Sequence, residues 1–142
     1  MKKVFKIFIK ILTLFIIGGF VYMGIELAYR WYTHWTMGVL GGLCFICIGG
    51  INELFSWEMP IWKQCVYGSI IVTMLELLFG LILNVWLNLG IWDYSNMPLN
   101  ILGQVCLPFT LAWVALSGVA IVLDDWLRYW LFKEEKPHYV LK

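Results

Sequence analysis

Residues 61–89 read IWKQCVYGSIIVTMLELLFGLILNVWLNL. The stretch exceeds the roughly 20 residues a helix needs to cross a bilayer, and its few polar residues are not scattered. Ser69, Thr73, Glu76, Gly80, Asn84 and Asn88 follow one another at steps of three or four, which aligns them along one face of a helix. The rest is mostly Ile, Val, Leu and Phe. A carboxylate near the middle of a span costs at least ~2–3 kcal/mol unless it finds a partner or water. The stripe is therefore expected to look inward, onto other helices of the same chain.

Working outward, three further apolar runs fit spans at residues 5–29, 37–55 and 98–123, so the third span, 61–89, is one of four. The chain is 62% apolar and 13% charged, which excludes disorder and an ordinary soluble domain. The connectors 30–36, 56–60 and 90–97 are short, and short connections force antiparallel neighbours. The expected fold is all-α: an integral membrane, up-down four-helix bundle. Residues 1–133 form one transmembrane domain, with 124–133 as a helical extension into the interface and 134–142 as a loosely ordered tail. Met1–Phe20 has the lysines and apolar run of a signal peptide, but no small-x-small cleavage site follows. An uncleaved first helix is expected.

This topology sorts the ten basic residues. Lys2, Lys3, Lys6, Lys10, Lys63, Arg128, Lys133, Lys136 and Lys142 fall on one side, and Arg30 alone on the other. Cytoplasmic loops carry the excess of Lys and Arg, so both termini are expected in the cytoplasm of a bacterial inner-membrane, multi-pass protein. The near-neutral net charge of +1 gives no nucleic-acid footprint. Trp31, Trp35, Trp57, Trp62, Trp86, Trp92, Trp126 and Trp130 sit at the expected interfaces, where amphipathic rings anchor.

The other spans carry fewer polar groups. Glu26 and Arg30 are spaced to pair along the first helix. The alternative is that Arg30 turns to Glu76 or to an anionic ligand. Gly38, Gly42 and Gly49 give the second helix a small-residue packing face. Trp92-Asp93-Tyr94-Ser95-Asn96-Met97-Pro98-Leu99-Asn100 reads as a capped start for the fourth helix, with Pro108 bending it further on. In that frame Asp93, Asn96, Asn100 and Gln104 would share an outer polar vestibule with Asn84 and Asn88. Cys44-x-x-Cys47 lies in an apolar, Gly-rich helix, so packing is favoured over redox or metal chemistry. No cofactor or metal is expected. The chain lacks a Gly-rich phosphate loop and an H-E-x-x-H motif, and no enzymatic activity is expected. Met37-Gly38 through Cys44 and Met97-Pro98 through Cys106 also hint at a two-plus-two repeat.

The segment Trp92–Asn100, the following Gly103-Gln104-Val105-Cys106-Leu107-Pro108-Phe109, and Trp113 resemble the ABC-transporter type IV (CmpB-like) membrane family. Glu26, Gly38–Gly42, Asn52-Glu53 and Asp124-Asp125 through Tyr139 resemble its compact bacterial subgroup, so the likeness spans nearly the whole chain. The resemblance implies a transport permease and hence an ATPase partner. The connector 56–60 and the segment 124–133 offer such a partner little coupling surface.

The leading expectation is a small transporter or permease component with its site at Glu76. Asn84, Asn88, Asn100, Gln104 and Asp93 would line the outer approach, and Glu26 with Arg30 would gate it. Its partners would be the bilayer and either further copies of the chain or another membrane protein, since four helices are few for a pathway. Two other readings stay open: a non-catalytic assembly module whose polar stripes specify helix pairing, and a lipid-binding or lipid-modifying protein.

Overall fold

The computed structural model describes residues 1–142. It contains helices α1 (Lys2–Arg30), α2 (Trp35–Gly49), α3 (Ile51–Leu54), α4 (Ile61–Gly80, continued by a π-helical turn at Leu81–Trp86) and α5 (Leu107–Phe132). By length and apolar character four segments can cross a membrane: α1, α2 with α3, α4 with its π turn, and α5.

The helices pack as two hairpins, α1 on α2 and α4 on α5, with α2 also touching α4 and α5. Glycine sets the closeness of the first pair. Gly19 lies against the Gly38 carbonyl, where an added Cβ would come within 2.6 Å of the oxygen, and Gly42 abuts Phe15. Such small-residue contacts let helix backbones approach in lipid. Gly49 faces the other way, onto the carboxylate of Asp124.

The spans differ from the expected boundaries in informative ways. The second span breaks at Gly50 and resumes as the single turn α3. The third loses its α-register early: Leu87 N donates to Ile82 O at 2.9 Å, a five-residue step. Asn88 follows in a left-handed conformation. The polar stripe therefore stops at Asn84, because a π turn shifts the face on which the next residue falls.

The fourth helix was expected over 98–123, but begins at Leu107. Residues 87–106 instead form a folded, largely non-helical cap. Leu99, Leu102 and Gly103 all take positive φ, and each interrupts a helix there. Pro108 sits in the first turn of α5, where its missing N–H costs nothing, so it starts the helix rather than bending it. The suggested repeat fails on the same ground: Met37–Cys44 is helical and Met97–Cys106 is not.

Residues 124–132 continue α5 unbroken, and its Asp124, Asp125 and Arg128 are buried. The tail, expected to be loose, folds back over the end of the bundle. Ile61 N donates to Val140 O at 2.8 Å, and the His138 ring stacks on Trp57. Lys10, Asn52, Lys63, Arg128 and the tail thus share one end of the molecule. Arg30, His34 and the cap share the other.

Candidate functional site

Glu76 sits on the inward stripe of α4 and is 3% exposed. Its two oxygens accept from different elements: Oε1 from the Tyr94 hydroxyl at 3.2 Å and Oε2 from the Trp113 indole N–H at 3.1 Å. An indole N–H can only donate, so at least Oε2 is an acceptor. No Lys or Arg pairs with Glu76. Arg30, the one Lys or Arg at that end, is engaged by Glu26 at 2.6 Å.

Beside Glu76 lies a narrow cavity of about 100 Å³ whose wall comes from all four spans. Tyr22, Cys44 and Trp113 line it near the carboxylate, with the Tyr22 and Trp113 rings 6.1 Å apart between centroids. Ser117, one turn beyond Trp113, also lines it, and its Oγ is buried without a partner. Below Glu76 on α4, Ser69 Oγ donates to the Thr110 carbonyl at 2.6 Å, and the Thr73 and Thr110 hydroxyls meet at 3.1 Å. These bonds fasten the α4–α5 pair and leave the cavity apolar except at Glu76 and Ser117.

The other expected site residues divide. Asn84 and Gln104 meet, Nδ2 to Oε1 at 2.9 Å, and Asn84 Oδ1 accepts from Ile91 N at 2.7 Å. The Trp92 indole donates to the Gln104 carbonyl at 2.9 Å. These bonds hold the cap on the end of α4. Glu26 and Arg30 form the local pair, and Arg30 Nη1 also donates to the Ile91 carbonyl at 3.1 Å, which ties α1 to the cap.

Asn88, Asn100 and Asp93 do not approach Glu76. Asn88 is exposed beyond the end of the helix. Asn100 organises the cap, donating to the Met97 carbonyl and accepting from Gly103 N, each at 3.0 Å. Asp93 is exposed and accepts from the Ser95 amide at 2.9 Å and from the Ser95 hydroxyl. Those two bonds hold its carboxyl below the ordinary range. Asn96 and Pro98 are exposed in the same cap. Asn84, Gln104, Asn100 and Asp93 spend their hydrogen bonds folding the cap and holding it on α4, not lining an approach to Glu76.

Sequence reasoning missed Trp113 and Tyr94 as partners of Glu76. The stripe shows which residues need a donor but not which element supplies it. Tyr94 comes from the cap, across a turn that spacing does not reveal.

A second polar group fills the opposite end. Asp124 accepts from Arg128 Nε at 2.6 Å, and Asp125 from Asn52 at 2.7 Å and from the Tyr139 hydroxyl at 2.9 Å. Burial and the Asp125 carboxylate raise the Tyr139 hydroxyl above its ordinary range. Lys10 reaches Glu134 at 2.5 Å, so charges from α1, α3, α5 and the tail interlock.

No curated protein and no solved structure matches this chain. Residues 13–137, which carry the cap, Glu76, Trp113 and the Asp124–Arg128 pair, match the family described as "Putative ABC-transporter type IV", and the chain belongs to that family.

Proposed function

We propose that this protein is a small, non-catalytic component of a membrane transport system in a bacterial inner membrane, with both termini cytoplasmic. Glu76 is its ligand-contacting or coupling carboxylate. One observation carries the reading: a buried acidic side chain in mid-span, held by two neutral donors and facing a cavity, with no basic partner. Intramembrane carboxylates are expensive and typically mark ligand or ion paths. The family membership supports a transport role, and the excess of Lys and Arg at the end bearing the tail supports the orientation. An ATPase partner would have to meet the connector 56–60 and the docked tail, the surfaces at that end.

The test uses purified protein in lipid nanodiscs, titrated with metal cations, organic amines, carboxylates and lipids while melting is followed. At least one class is expected to raise Tm, and Glu76→Gln to abolish the rise with little change in the unliganded Tm. The ligand found should then cross a proteoliposome membrane with the wild type and not with the variant. Wild-type behaviour of Glu76→Gln in both assays overturns the proposal. A changed oligomeric state with an unchanged ligand response overturns it in favour of an assembly module.

A further inference from the structure

The cavity beside Glu76 is not sealed on all sides. α1 packs along α2 and meets α5 only sparsely. At the cap end the contacts are the Tyr22–Trp113 and Tyr29–Phe109 ring pairs, and at the far end the Lys10–Glu134 ion pair. Between them Val21 and Ile25 of α1 and Val119 of α5 line the cavity while being exposed on the outer surface, Val119 by 64%. In a membrane that surface meets acyl chains. The seam is therefore a side entrance from the lipid.

Its chemistry is graded along its length. The cap end holds the Glu76 carboxylate and the Tyr22 and Trp113 rings. From there to Leu123 the wall is apolar apart from the unpartnered Ser117 hydroxyl, which lies against Gly68 two turns below Glu76. Ten residues of α5, Trp113 to Leu123, correspond to about 15 Å. A carboxylate without a basic partner calls for a cation, and two aromatic faces beside it attract one further. A 15 Å apolar slot leading away calls for a hydrocarbon chain. The polar end lies on the cap side, and the apolar end runs down to Leu123, next to Asp124 at the tail end of α5.

Resting on the reading of Glu76 as the ligand carboxylate, we propose that the α1–α5 seam admits a membrane-dissolved, single-chain amphiphile with an ammonium head. The ammonium sits at Glu76, against the Tyr22 and Trp113 rings. The chain lies in the seam against Val21 and Val119.

The test is photocrosslinking in phosphatidylcholine nanodiscs with a dodecylamine whose chain bears a diazirine. Labelled peptides are located by mass spectrometry, and the competitors are dodecylamine, dodecanoate and butylamine. Labelling is expected on α1 around Val21 and on α5 around Val119. Dodecylamine should compete at least tenfold better than dodecanoate or butylamine. Glu76→Gln should lower labelling about tenfold. Val119→Trp, a change at an exposed position, should block it with an unchanged Tm. Equal competition by dodecanoate, undiminished labelling in Glu76→Gln, or butylamine competing as well as dodecylamine each overturns the proposal. If dodecylamine is not captured but Glu76→Gln still loses its response to another ligand, only the amphiphile falls and the transport carboxylate stands. If Glu76→Gln changes nothing with any ligand, both fall.

Discussion

The Trp113 indole N–H donates to Glu76 Oε2 at 3.1 Å, joining the second turn of α5 to the cap-side half of α4. This bond satisfies a buried acceptor on one helix with a donor that has no other role on the next. Its removal leaves Glu76 with the Tyr94 hydroxyl alone.

Trp113→Phe should therefore destabilise the fold by about 1–3 kcal/mol, the cost of an unsatisfied buried polar group. In a Glu76→Leu background the same change should cost much less, because the acceptor is gone. Denaturant unfolding in detergent micelles, run as a double-mutant cycle, measures the difference. Equal costs in the two backgrounds would mean that the ring matters only for packing.

Gly49→Ala should be costly for a different reason. An added Cβ would overlap the Asp124 carboxylate, and Asp124 is 0% exposed and held by Arg128. Overpacking of this kind costs about 1–3 kcal/mol. Gly49→Ala with Asp124→Ala should lose less than the two single losses summed. A fully additive result in the same unfolding assay would show that the helices separate freely at this point.

The cap has a defined acid limit. Bonds from the Ser95 hydroxyl and amide hold the Asp93 carboxyl below its ordinary value. A depressed folded value means that the stabilisation is present above the unfolded pKa of about 4 and is lost as pH falls through the folded value. Hydrogen-exchange protection at the Ser95 amide should be flat from neutral pH down to about 4 and fall below it. Asp93→Asn should flatten the acid limb. A fall in protection between pH 7 and 5 would assign the limit to another group.

Much of the architecture was readable because lipid imposes it. Span length and the forced inward turn of Glu76 follow from the absence of water, and Ser69, Thr73 and Glu76 do meet other elements. The cap was misread because Asp, Ser, Asn and Pro are equally at home in a helix start and in an irregular turn. What separates them here is contact beyond the turn itself: the Trp92–Gln104 and Asn84–Ile91 bonds. Asn88 was lost to a single π turn, a local slip with no sequence mark. Tail docking depended on Tyr139 finding Asp125, and proximity of that sort is decided only once α5 is in place.

The spans are unequal in reach. α1, with 29 residues, is about 43 Å long at 1.5 Å per residue, whereas α2, with 15, covers about 22 Å, against a hydrocarbon thickness of about 30 Å. A thick bilayer lets α1 stand upright and starves α2, which must borrow the turn beyond Gly50. A thin one suits α2 and tips α1 over. Hydrophobic mismatch thus pulls the two members of one hairpin in opposite senses, and lipid chain length becomes a handle on how far they cross.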